Sequence, residues 1–517
     1  MSRFFGLRGT RLNVATIIGV LMPGILTVGY NAASLGGVLS LGSFERQFRE
    51  IDVADAPNKN LASTIQGTVV AVYAIGGFIG TFACIWLGDM LGRRRVIMAG
   101  AVVQVIGAVL NASAYSLAQL VVCRIIIGVG TGALLATIPL WQSEISPASK
   151  RGAHVATKGV FSGLGCAMAL FLDFGLSFND GSMAWRLPAA FPVLLSVTVF
   201  GFIIFLPESP RWLIRKGRIS EAKETLASLE NKALDDKDIE TRIEEMQASL
   251  CLAGNQKTLA QLFSMGPQRT SHRAFLAMAG MTFLQLTGAT VTTFYTTAIF
   301  ENNLQLNEST SRLLAAVYQL MGPIGGIFCV LTIEGLGRRT LLMGSATGNA
   351  ICLALIASLG SQTGNIMAAH GAVFFIFLFH FSYIIGFGGI PYLYASEIAP
   401  MNLRATISSI SISISWAISI LVANVTPIAF NSMGQRYFLI FAGFNAAMVP
   451  AIFYLFPETS GRSLEEIDEI FALSQSLLDA VSTAKNLPPR QAHDLPPPEK
   501  VLVADLKTLD SPLESPV

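Results

Sequence analysis

Of the ionisable residues inside otherwise apolar stretches of this chain, four could carry chemistry: Arg124, Lys158, Asp173 and His380. A charge inside a hydrocarbon layer is costly, so each has a partner or a function. An aspartate or a histidine there can bind and release a proton as its surroundings change. A lysine can receive an anionic ligand, or carry its ammonium to the interface along its own alkyl stem. His380 reads first as a packing residue, and Asp173 falls near the end of its apolar stretch. Covalent chemistry has no candidates: no metal-ligand spacing, nucleophile–base pair or phosphate-cradling loop stands out. "RIIIGVGTGA" (124–133) has Gly-x-Gly-x-Gly spacing, but no lysine follows, and close helix packing accounts for its glycines. An enzyme, a cofactor, a metal and a nucleic-acid partner are therefore not expected.

The elements that position these residues come from composition. Of 517 residues, 52% are hydrophobic and 13% charged, a balance foreign to soluble chains of this length. The apolar residues gather in twelve runs, at 13–38, 65–87, 95–113, 117–140, 155–178, 185–206, 274–300, 311–333, 340–360, 366–394, 405–430 and 436–456. About 20 apolar residues cross ~30 Å of hydrocarbon as a helix. Helix satisfies each backbone group within its own segment, so an all-α membrane protein with twelve transmembrane helices is predicted.

The net charge of +2 says little, but its placement says more. If the runs alternate, Arg3, Arg8, Arg11, Arg93, Arg94, Arg95, Lys150, Arg151, Arg338, Arg339 and Arg404 share one side. The charged stretch 207–273 and the tail after 457 join them. The positive-inside rule makes that side the cytosol and puts both termini there. Segment 40–62 sets Arg46, Arg49 and Lys59 on the other side, offset by Glu45, Glu50, Asp52 and Asp55. No cleavable signal peptide is read, and the plasma membrane is the expected location. Cys84, Cys123, Cys166, Cys329 and Cys352 fall in runs and Cys251 in the charged stretch; all read as free thiols. "NLPPRQAHDLPPPEK" (486–500) lacks apolar periodicity, so the tail from 457 reads as largely disordered. "NES" (307–309) makes Asn307 a candidate glycosylation site.

An internal repeat carries the architecture. "GDMLGRRR" (88–95) and "EGLGRRT" (334–340) place Gly92 and Gly337 245 residues apart. "SEISP" (143–147) and "SEIAP" (396–400) are offset by 253, and "PESPRW" (207–212) and "PETSGR" (457–462) by 250. Three motifs recurring in order at nearly one offset imply two six-helix halves in the same orientation. They span 1–206 and 274–456, with 207–273 as a linker and 457–517 as a tail. Asp89, Arg93, Arg94, Glu144, Arg151 and Glu208 would gather at one set of helix ends. Glu334, Arg338, Arg339, Glu397, Arg404 and Glu458 would form the copy. Carboxylates meeting guanidinium forks there would serve as a cytosolic gate that closes in one state and parts in the other.

These motifs, with "RIIIGVGTG" (124–132), "SEISPASKRG" (143–152) and "PETSGRSLEEI" (457–467), resemble the signatures of the sugar porter branch of the major facilitator superfamily. The resemblance covers roughly residues 14–470, and "TPIAF" (426–430) is similar to fungal members. It implies alternating access around a site at the bilayer midplane. It also implies a bundle of four short cytosolic helices within 207–273 and a small-molecule substrate. A monomer is the default expectation.

The sequence departs from the family pattern where the family holds its sugar. Family members carry a glutamine at the position of Gly159. Their seventh span reads Gln-Gln-x-x-Gly-x-Asn, against "LQLTGAT" (284–290) here, and Tyr392 stands for a tryptophan. Each hydrogen bond lost is worth about 1 kcal/mol. Gln285, Thr290, Thr292, Gln319, Tyr392 and Trp416 are the candidates to replace them, with Lys158 beside the missing glutamine. In the family's proton symporters a Gly-Tyr-Asp motif in the first span faces an arginine in the fourth. The equivalent residues are Gly29, Tyr30, Asn31 and Arg124. Asparagine does not titrate, and the resembling facilitative carriers share it. Facilitated diffusion of a sugar is therefore predicted, with Asp173 as the fallback coupling residue. Two other functions compete: a carrier of a fungal secondary metabolite or acidic solute in either direction, and a non-transporting nutrient sensor.

Overall fold

Glycines and capping side chains decide where the helices of this chain begin and end. In the computed structural model the described residues are 6–39, 41–51, 59–146, 151–179, 181–252, 269–303, 307–362, 365–400, 403–462, 464–474 and 476–487. The first six spans are α1 (Gly9–Val38), α2 (Lys59–Met90), α3 (Arg93–Ala112), α4 (Leu117–Ile145), α5 (Arg151–Leu176) and α6 (Met183–Ile203). The second six are α7 (Thr270–Glu301), α8 (Glu308–Leu336), α9 (Arg338–Gly360), α10 (Ile366–Ile398), α11 (Arg404–Met433) and α12 (Tyr437–Leu455). No strand occurs among the described residues.

Length and hydropathy alone separate eleven spans among the described residues, because Arg404–Leu455 reads as one stretch of 52. At ~1.5 Å per residue that stretch would far exceed one bilayer. It divides at Gly434, where φ is +56°, into the 30 residues of α11 and the 19 of α12. Each of the twelve apolar runs thus coincides with a helix.

The helix starts use two devices. Ser116 accepts a hydrogen bond from the Gln119 amide at 3.3 Å, and Asn365 accepts from Met367 and Ala368 at 3.1 and 3.2 Å, as N-caps do. By contrast, α3 and α9 follow Gly92 and Gly337, with φ of +90° and +83°, and have no side-chain cap of their own. Their caps arrive from distant sequence.

Two spans are broken near mid-length. Helix α7 interrupts at Gly288, where φ is +93°, and α10 leaves helical form over 387–389. Broken spans are tolerated where the freed backbone lines a protein-enclosed site. Glycines let other spans touch. A Cβ added to Gly76 of α2 would lie 2.8 Å from the Cα of Gly128 on α4, which gives the "GVGTG" glycines their role in packing. Between the two sets of six, α2 meets α11, α5 meets α8 and α1 meets α7. At these contacts an added Cβ on Gly163 would lie 2.9 Å from Pro323, and one on Gly36 2.6 Å from the Phe294 carbonyl.

Three short helices, Pro210–Arg215, Ile219–Glu230 and Lys237–Leu252, fill most of the linker; 253–268, where a fourth was expected, lies outside the described residues. The disorder expected from residue 457 onward is corrected for its first part. Helices Leu464–Leu473 and Asp479–Asn486 form there, with Phe471, Ala480 and Ala484 buried. Arg273 at the start of α7 pairs with Asp468 and lies 4.7 Å over the Phe471 ring. Residues 488–517 lie outside the described residues. Cys84, Cys123, Cys166, Cys329 and Cys352 are buried free thiols; the side chain of Cys251 is not among those described.

Candidate functional site

A cavity of about 150 Å³ lies where the two sets of six helices meet. Val28 of α1, Leu135 of α4, and Lys158 and Ser162 of α5 form one wall. Gln285 of α7, Tyr383 and Tyr392 of α10, and Ser415 and Trp416 of α11 form the other. The breaks in α7 and α10 place Gln285 three residues before Gly288 and Tyr392 three residues after Gly389. Polar groups and flat apolar faces therefore converge on one cavity, the usual make-up of a small-molecule site.

Gln285 Nε2 donates to Ser415 Oγ at 2.8 Å, and its Oε1 accepts from the Thr290 hydroxyl. Thr290 thus orients Gln285 from behind. The Nε1 of Trp416 is buried without a hydrogen-bond partner. Its ring meets Tyr73 edge-on, with centroids 5.6 Å apart, and Gly77 leaves room beneath it. Lys158 is 4% exposed, its Nζ makes no hydrogen bond, and it lies 2.7 Å from the centroid of the Tyr392 ring.

Two expected members stand elsewhere. Gln319 of α8 is buried outside the cavity lining, as is Thr292. His380 packs behind the wall, its ring centroid 4.3 Å from that of Tyr318 and 6.0 Å from that of Tyr383. Sequence reasoning missed Ser162, Ser415 and Tyr73. A lone serine or tyrosine in a span carries no signal separable from packing.

The positions read as coupling residues are all buried. Asn31 is 2% exposed and its Nδ2 has no partner. Arg124 lies 5.0 Å over the ring of Tyr73, so a cation–π contact and then an edge-on ring contact link it to Trp416 in the cavity wall. Asp173 stands away from the cavity. It packs against Gly37 near the end of α1, and neither carboxylate oxygen is hydrogen-bonded.

At the arginine-rich helix ends the repeat becomes geometry. Glu208 accepts from the Arg93 and Arg94 amides, both at 3.1 Å, and Glu458 accepts from those of Arg338 and Arg339, both at 2.9 Å. Each acid thus caps a helix that starts after a positive-φ glycine, where negative charge is favourable. Burial pushes the Glu208 carboxyl above the ordinary glutamate range, opposed by amide hydrogen bonds from Ser209 and Arg94. Arg93 forks onto Glu144 at 3.0 and 3.1 Å, with Asp89 3.6 Å away. Asp89 also takes Arg215 at 2.9 Å. In the copy, Arg338 reaches Glu397 at 3.1 Å and forks onto Glu334 at 3.0 and 3.1 Å. Arg94 and Arg339 cap the carbonyls of Ile204 and Phe453. These ion pairs of Arg93 and Arg338 each stay within one set of six helices. Arg404 is half-buried at the start of α11, and the Arg151 side chain is not among those described. Arg215, Thr459 and Ser460 belong to the clusters and were missed, although "PESPRW" and "PETSGR" contain or adjoin them.

A helical bundle of two like halves with a cavity of mixed polar and apolar lining between them is the architecture of a multi-pass membrane carrier. The family described as "Sugar (and other) transporter" matches residues 16–471, and the chain belongs to it. It is 32% identical over 474 residues to the sugar transporter STL1 of Saccharomyces cerevisiae, covering 90% of this chain and 83% of that one. It is also 32% identical over 485 residues to the MFS-type transporter oryC of Aspergillus oryzae, covering 92% and 88%. In fold it is similar to the proton:xylose symporter XylE bound to 6-bromo-6-deoxy-D-glucose. The TM-score is 0.77 at 20% identity, over 89% of this chain and 99% of that one.

Proposed function

We propose that this protein carries a sugar or a related hydroxylated solute across the plasma membrane by alternating access, down its gradient. The observation that carries this is the cavity between the two sets of six helices, in which the Gln285–Ser415 pair offers hydrogen bonds and Trp416 and Tyr392 offer flat faces. Gln285, Tyr392, Trp416 and Lys158 contact the solute, while Thr290 acts through Gln285 and Gln319 supports the wall from outside. The facilitative reading rests on Asn31, an amide that cannot exchange a proton, at the position where proton symporters of the family keep an acid. The arginine-rich ends and both termini face the cytosol. Each half, 1–206 and 274–456, moves as a unit. The acid–arginine clusters brace the cytosolic ends within each half, while 207–273 and the tail from 457 stay in the cytosol.

The test is uptake of radiolabelled glucose and xylose by a transport-deficient yeast expressing the chain, at acidic and neutral pH, with and without a protonophore. Uptake indifferent to both is expected. Uptake abolished by the protonophore would overturn the facilitative reading and direct attention to Asp173.

A further inference from the structure

Among the described residues lining the cavity, Lys158 is the one ionisable group with a fixed charge sign, and no acid joins it there. Its Nζ is buried, makes no hydrogen bond, and faces the π-face of Tyr392. An aromatic face offsets part of the cost of a buried ammonium. It does not replace a counter-ion, and a buried charge without one is expensive. Elsewhere among the described residues Arg93 has Glu144, Arg338 has Glu397 and Arg273 has Asp468, whereas buried Arg124, outside the cavity lining, faces a tyrosine ring as Lys158 does. In the cavity the described residues supply none.

We propose that the solute brings the counter-charge: the site takes a hydroxylated six-carbon carboxylic acid, a sugar acid, with its carboxylate on Lys158. This rests on the carrier reading above and narrows its substrate class. A cavity of about 150 Å³ is of the size that takes one small ring, which limits the solute to a single sugar unit. The polar groups are divided accordingly. Gln285 and Ser415 stand on the α7–α11 wall to meet hydroxyls, and the ammonium stands on α5 to meet the acid. Gly159 follows Lys158 on α5, and a Cβ there would meet nothing closer than 3.9 Å, but it lines a neighbouring apolar pocket and not this cavity.

The test compares sugars that differ at one carbon. Purified protein in liposomes is assayed by entrance counterflow, which needs no gradient of charge or protons. The labelled probes are D-galacturonate against D-galactose and D-glucuronate against D-glucose. The wild type is expected to favour an acid over its neutral partner by about tenfold to a hundredfold, the worth of a charge-assisted hydrogen bond. Lys158→Met is expected to lose that preference, its acid-to-neutral ratio falling to about one whatever its overall rate, and Lys158→Arg to keep part of it. Equal transport of neutral sugars by wild type and Lys158→Met, with no transport of acids, overturns the proposal and leaves the carrier reading intact. No counterflow of any probe, together with no quenching of tryptophan fluorescence on adding them, overturns both. Thermal unfolding of Lys158→Met separates loss of the site from loss of the fold.

Discussion

Gln285 is held at both ends of its amide, by Ser415 and by Thr290, and so is presented to the cavity in one orientation. Gln285→Ala should raise the half-saturation constant about fivefold or more, the worth of about 1 kcal/mol. Thr290→Val should raise it less, because it loosens the amide without removing it. Concentration-dependent uptake by the two variants checks the order; the reverse order would place Thr290, not Gln285, against the solute. Much of this site was legible residue by residue. A glutamine, a tryptophan and a lysine in apolar helices are rare enough to declare themselves, and the cavity collects Gln285, Trp416 and Lys158. Gln319 and His380 were equally conspicuous but face neighbouring helices, because type alone does not fix the face a side chain takes. Ser415 and Tyr73 gave no sign, since serine and tyrosine pack in spans without any ligand.

Helices α3 and α9 start after glycines and receive their caps from Glu208 and Glu458, residues more than a hundred positions away. Glu208→Ala strands two α3 amides and should lower stability by about 1–3 kcal/mol. Glu208→Gln keeps one acceptor and should fall between. Thermal unfolding of the purified variants reads the series, and Glu458→Ala should give a loss of similar size from the other half. The repeat of glycine, arginine and acid made these clusters legible in the sequence, because three motifs had to meet for each to be explained. The tail helices were not read. Their apolar positions Leu464, Ile467, Ile470 and Phe471 do carry a helical spacing, but the proline-rich stretch beyond them dominates the composition.

Among the described residues, contact between the halves depends on glycines, and a polar bond crosses between them at Ser63. Tyr295 donates to the Ala423 carbonyl within the second half at 2.9 Å, whereas the Asn431 amide donates to Ser63 across the divide. In a cysteine-free background, Ser63→Cys with Asn431→Cys should form a disulfide under mild oxidation and stop transport. Adding Gly36→Val, which has no room against Phe294, should abolish that cross-link by favouring the opposite conformation. Gel mobility after oxidation checks both steps; a cross-link that persists would show that α1 and α7 do not part. The ion pairs of Arg93 and Arg338 lie within one half or the other here; on the proposal that each half moves as a unit, they persist in both conformations and contribute little to the difference between them. The preference of the empty carrier for one face of the membrane is then set by how closely apolar faces fit. Ionic strength should leave it nearly untouched, and lipid composition, acting through lateral pressure on those faces, becomes the environmental variable to which this protein answers.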